Sequence, residues 1–251
     1  MSDPQSVLEA SVSHLREVVA ALDPQQYTAK AYPTEWSIAD VMSHLGSGAV
    51  IMRHSIDTTI AGTAVADDFN QSVWDEWNAK LPAAQVADAL VADQALMERV
   101  AQVSASERES FQLSIGPMSL GFDGALGLRL GEHALHTWDI EVAADPNATV
   151  PADAAGLIVG TISMLVGFVG RPDGVERDIS IHTTDPAGDF VLTLGAESVS
   201  LATATSPAVA DLTIPTEALV RLVYGRLDPA HTPAGVDEAL VATLRTVFPG
   251  F

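Results

Sequence analysis

The stretch Arg129-Leu-Gly-Glu-His-Ala-Leu-His-Thr-Trp-Asp139 decides how the rest of the chain is read. After Gly131 it holds neither glycine nor proline, and a helix laid through it sets Glu132 and His136 four residues apart. Side chains at that spacing leave one face of the helix, about one turn from each other. A carboxylate and an imidazole so placed can share one divalent ion, the logic of histidine pairs on metalloenzyme helices. The same spacing equally suits an exposed acid–base pair on a helix surface. His133 points about 100° away from that face and Asp139 lies near His133, so neither is the first choice of ligand. Asp139 is placed instead to accept a hydrogen bond from a ligand imidazole.

A third ligand is needed, and Glu35-Trp-Ser-Ile-Ala-Asp-Val-Met-Ser-His-Leu45 offers one. Ser37 followed three residues later by Asp40 is a capping-box signature, so a helix opens there. His44 then falls in its second turn, on the stripe of Val41, Leu45 and Gly48. A histidine on an apolar stripe is either a core residue bonded to backbone or a ligand, and this segment alone leaves both open.

Taken together these motifs resemble the mycothiol-dependent maleylpyruvate isomerase family, relatives of the DinB-like bundles. The resemblance rests on Trp36-Ser37…His44-Leu45, on Phe69-Asn70 before a helix, and on Arg129…Glu132…His136-Thr-Trp-Asp139-Ile140. It covers most of residues 5 to 145, and the C-terminal hundred residues are similar, more weakly, to the family's small α/β domain. In the family one histidine of an early helix and a Glu-x-x-x-His on a later one hold zinc. Those positions fall here on His44, Glu132 and His136, with no departure in residue type or spacing. The resemblance further implies mycothiol as the thiol cosubstrate. It also implies an arginine from the C-terminal region that reaches the cleft, for which Arg226 is the choice over Arg221. Arg129 is read as structural, orienting Asp139 or an N-terminal carboxylate.

Composition narrows the alternatives. The 251 residues are 47% hydrophobic and 18% charged, enough for a substantial core and without a disorder signature. Twelve basic residues stand against 33 acidic ones, a net charge of -21. Nucleic acid and anionic membrane are therefore poor partners, because phosphate binding needs clustered Lys and Arg. The acidic balance suits an intracellular protein kept soluble by self-repulsion. There is no cysteine, so a metal must use His and carboxylate, and a thiol reaction must take its thiol from outside. Met-Ser-Asp-Pro leads straight into an amphipathic helix rather than a signal peptide, and a cytoplasmic location is expected. The longest uncharged run, Ala154 to Gly170, is short for a membrane span and reads as a buried helix.

Periodicity supplies the architecture. Helical stripes run through Val7 to Leu22, His44's segment to Ile60, Leu81 to Val103 and Leu126 to Ala144, with a short aromatic helix at Phe69 to Lys80. Ser104 to Met118 is less regular, with Phe111 to Ile115 as a short extended piece. Asp145-Pro-Asn-Ala-Thr-Val-Pro151 is the domain boundary. Beyond it, alternating strands at 178–184, 190–194, 198–202 and 210–214 are joined by short turns and flanked by helices. The expectation is α+β: a DinB-like four-helix bundle over 1–145, then a small α+β domain with an antiparallel sheet over 151–251.

The leading functional reading is a metal- and thiol-dependent enzyme. It activates mycothiol as a zinc-bound thiolate for isomerisation or for S-transfer to an electrophile, acting as a monomer or homodimer. Two other classes compete: a non-catalytic small-molecule or lipid binder, suggested by the sterol-carrier-like C-terminal domain, and a zinc-dependent hydrolase.

Overall fold

The computed structural model describes residues 3–115, 118–205 and 209–250, and the chain divides into two compact units, Met1–Ala148 and Thr149–Phe251.

The first unit is helical. It contains α1 (Pro4–Ala20), α2 (Ile38–Ala61), α3 (Phe69–Asn78), α4 (Pro82–Ala101), α5 (Ala105–Ser110) and α6 (Phe122–Glu141). Helices α1, α2 and α4 start where the sequence satisfies the first backbone N–H groups or needs no donor. Asp3 accepts from Ser6 N and Pro4 follows it at the head of α1; Pro82 opens α4. Ser37 and Asp40 form a reciprocal capping box at the head of α2, and Gly62 at φ 65° ends that helix.

Helix α1 lays its stripe of Val7, Leu8, Val12, Leu15 and Val19 inward and packs against α6, while α2 packs against α4. The second contact is close because Gly46 has no side chain. A Cβ there would sit 2.3 Å from the Trp77 ring and 2.9 Å from the Ala89 Cα. Helix α6 is buried almost all round, and Trp138 Nε1 donates to the Ala148 carbonyl at 2.8 Å, tying down the segment that follows.

The stretch read as irregular holds more order than expected. Ser104 and Glu107 build a second capping box that starts α5, and a two-stranded hairpin follows, β1 (Leu113–Ile115) with β2 (Met118–Leu120). A single turn of helix is too short to leave an apolar stripe, so periodicity does not reveal it.

The second unit contains α7 (Ala152–Val169), β3 (Arg177–Thr184), β4 (Gly188–Leu194), β5 (Val199–Thr203), β6 (Leu212–Pro215), α8 (Thr216–Val223) and α9 (Glu238–Val247). The sheet order is β5-β4-β3-β6. Pairings β3–β4 and β4–β5 are antiparallel as expected, but β6 joins the far edge of β3 in parallel, with Ile181 opposite Leu212. The expected antiparallel sheet is present and gains one parallel edge: β6 is reached by a crossover rather than a hairpin, and local turn signals do not show that.

Helix α7 also departs from expectation. It packs on α8 and β5 through Ala154, Ile158, Ile162 and Val166, a narrow i,i+4 stripe, and only 28% of its length is buried. Met164 and Phe168 are exposed, Phe168 by 64%. An uncharged run reads as buried on all sides because glycines and apolar residues give no contrast between faces. His182 faces outward on β3, paired with Asp189 at 2.8 Å.

Candidate metal centre

The capping box fixes where α2 begins, with Ser37 N donating to Asp40 Oδ2 at 2.8 Å. Seven residues on, His44 faces α6. There its Nε2 lies 3.1 Å from Glu132 Oε2, and His136 Nε2 lies 3.7 Å from the same oxygen. One ligand atom from each of the three residues falls within 4.8 Å of the others. The two imidazoles meet edge to face with centroids 4.6 Å apart. Trp36 leans on both, stacked on His136 at 5.7 Å and tilted over His44 at 5.3 Å.

The donors fit a single small ion. Bonds of about 2 Å to a tetrahedral ion put donor atoms about 3.3 Å apart, so the carboxylate–imidazole separations already bracket the required value. His136 Nδ1 is held by the buried Asp139 at 2.8 Å, which leaves Nε2 as the ring's lone pair toward Glu132. Burial favours the protonated form of Glu132. The hydrogen bond from His44, with the positive charges of His136, His44 and Arg129, outweighs that and lowers its pKa to about 2. Glu132 is therefore a carboxylate at any working pH.

In front of His44 lies a cleft of about 430 Å³ lined by Glu35, Trp36, Asp40, His44, Ser47, Trp74 and Asn78. None of these is Lys or Arg, so the cleft is acidic.

Behind the site runs a buried polar chain that the sequence does not reveal. Arg129 Nη2 donates to Asp93 Oδ1 and to the Leu45 carbonyl, both at 2.8 Å. Asp93 Oδ2 lies 3.3 Å from His133 Nε2, and His133 Nδ1 lies 2.9 Å from Ser11 Oγ. The partner expected for Arg129, Asp139 or an N-terminal carboxylate, is corrected to Asp93. Asp93 carried no signal because its partner is 36 residues away in sequence. Burial holds the His133 imidazole below its ordinary pKa, against the opposing pull of Asp93. His54, ten residues beyond His44 on α2, stacks on Phe69 with centroids 3.8 Å apart.

Arg226 follows α8 in the second unit, its Nη1 donating to the Tyr224 carbonyl at 3.1 Å. Arg221 is 2% exposed, ion-paired with Glu217 and bonded to the His231 carbonyl.

The family model for the mycothiol maleylpyruvate isomerase N-terminal domain matches residues 8–141. The chain belongs to this family. The match covers most of the helical unit, including His44, Glu132 and His136. Two solved structures are similar in fold, a mycothiol-dependent maleylpyruvate isomerase and a histidine-to-alanine mutant of it. Each is 12% identical, covers 89% of this chain and 88% of its own, and has a TM-score of 0.64. No curated protein matches the chain by sequence. The similarity to the solved structures extends through the second unit, so the helical bundle followed by a small α+β unit is the family's fold.

Proposed function

We propose that the chain is a mycothiol-dependent enzyme that isomerises a maleylpyruvate-type alkene or transfers the thiol sulfur to an electrophile. His44, Glu132 and His136 are its metal ligands, with zinc the first choice. The observation that carries this reading is the gathering of one carboxylate and two imidazoles within 4.8 Å, beside an open cleft, in a member of this family. A zinc ion there would supply Lewis acidity that favours the deprotonated form of a thiol.

The chain's own residues do the rest. Asp139 fixes the tautomer of His136, Glu132 stays ionised, and Trp36 covers both rings. The cleft's carboxylates, Glu35 and Asp40, repel anions, so an uncharged, hydroxyl-bearing part of the thiol suits that space better than a dicarboxylate. The substrate's counter-charge must come from elsewhere. We assign it to Arg226, the C-terminal arginine that the family resemblance implies. In the isomerisation the external sulfur adds to one alkene carbon, the resulting single bond rotates, and expulsion of the same sulfur restores the alkene as its trans form. In S-transfer the sulfur remains on the electrophile.

The test is calorimetry with mycothiol on metal-loaded and metal-stripped protein and on His136→Ala, beside assays of cis–trans isomerisation and of conjugation. One equivalent of metal and metal-dependent thiol binding, both lost in His136→Ala, are expected. Equal thiol binding without the metal overturns the reading.

A further inference from the structure

The four long helices of the first unit meet in one buried polar chain. It runs from Ser11 on α1 through His133 on α6 and Asp93 on α4 to Arg129 on α6, and ends on the Leu45 carbonyl of α2. Its side chains are almost wholly inaccessible, with Asp93 at 1% and Arg129 at 5% exposed. Such a network is a poor source of stability, because desolvating the charges offsets most of their attraction and apolar replacements are often as stable. It is not even fully satisfied: Arg129 Nε is buried without a hydrogen-bond partner among the described residues. What a buried ion pair does supply is register, since only one alignment of the helices makes its bonds.

Its position says what the register serves. Leu45 follows the ligand His44, and Arg129 stands one turn before the ligand Glu132 on the same face of α6. A single guanidinium nitrogen thus ties together the levels of α2 and α6 at which the ligands project. The guanidinium also has a made-to-measure seat. A Cβ on Gly48, one turn past His44, would lie 2.7 Å from Arg129 Nη1. Only glycine at this helical position admits the side chain where it lies.

We propose that Arg129, seated by Asp93 and admitted by Gly48, is a positioning residue for the metal centre, setting α2 against α6 so that His44 meets Glu132 and His136. The inference rests on the metal reading above. It concerns ligand geometry, not charge, and the two can be separated. Gly48→Ala keeps every polar group and introduces a better helix former, yet it displaces the guanidinium. Arg129→Lys keeps the charge and loses the planar fork. The double variant Arg129→Met/Asp93→Leu removes the ion pair altogether, and apolar replacement of such pairs is usually tolerated. The double variant removes one positive and one negative charge together and leaves the net charge behind Glu132 unchanged, so weaker metal binding there reports misplaced ligands rather than lost charge.

The experiment measures zinc affinity by chelator competition and records the visible absorption of the cobalt(II)-substituted full chain, for wild type and all three. Each folded variant should bind zinc about ten- to a hundredfold more weakly, the range for losing a group that orients ligands. Each should also show an altered cobalt spectrum, with helical circular dichroism unchanged. Zinc affinities within twofold of wild type and an unchanged cobalt spectrum in the folded variants overturn the proposal. Absence of metal uptake by the wild-type chain overturns the metal reading itself, and this inference with it. Should a single variant fail to fold, the double variant decides.

Discussion

His136 and Asp139 are joined by a 2.8 Å hydrogen bond between Nδ1 and a carboxylate that is fully buried. One turn of helix therefore carries the proposed ligand His136 together with the group that would aim it. An ionised carboxylate accepts only, so against it the ring's Nδ1 donates and Nε2 keeps the lone pair that would face an ion.

Replacing that carboxylate by an amide tests the relationship. Asp139→Asn preserves shape but can also present an N–H to the ring, allowing the wrong tautomer. Metal affinity should fall about ten- to a hundredfold with the fold retained. Chelator competition alongside thermal melting reads both quantities.

The lowered pKa of Glu132 makes a prediction about acid. A carboxyl whose pKa is depressed in the folded state contributes stability that is complete above its ordinary value and lost as pH falls toward the folded one. For Glu132 that window runs from 4.5 down to about 2. Urea unfolding of the metal-free chain and of Glu132→Gln should differ at the top of this window. Below it the difference should shrink. A difference that disappears by pH 6 would show that the carboxylate is not held ionised by its neighbours.

Gly46→Ala should be costly although alanine is the better helix former. The added methyl would press on the Trp77 ring and the Ala89 backbone, and backbone cannot step aside. Overpacking of this kind costs about 1–3 kcal/mol, outweighing a propensity gain of about 1 kcal/mol. Denaturant midpoints of wild type and variant decide it.

The division between Ala148 and Thr149 predicts that a fragment ending at residue 148 folds by itself. All three ligands and the buried polar chain lie within it. It should melt cooperatively and take up one zinc with the affinity of the full chain. If Arg226 supplies the substrate's counter-charge as proposed, isomerase activity should be absent. A fragment that stays unfolded would refute the division.

What the sequence disclosed, and what it hid, follows from the range of the interactions involved. The Ser37–Asp40 box, the Glu132/His136 pair and the Asp139 contact are all made within one turn, so spacing alone carries them. His44 could be joined to that pair, 88 residues away, only through the family resemblance. Asp93 and Ser11 are single polar residues on otherwise ordinary helices, and their role exists only once four helices are assembled. The parallel edge strand β6 and the open face of α7 are likewise consequences of assembly. Neither a turn signal nor a hydropathy run distinguishes them from the simpler alternative.

Trp36 gives the site an optical voice. An indole lying 5.3 Å and 5.7 Å from two imidazoles is close enough for its excited state to lose an electron to either ring once that ring is protonated. Emission from this residue is therefore coupled to the charge on the two imidazoles proposed to hold the ion, and the difference spectrum against Trp36→Phe isolates it from the other indoles. The chain carries its own fluorescent gauge of whether its histidines hold a proton or have given it up.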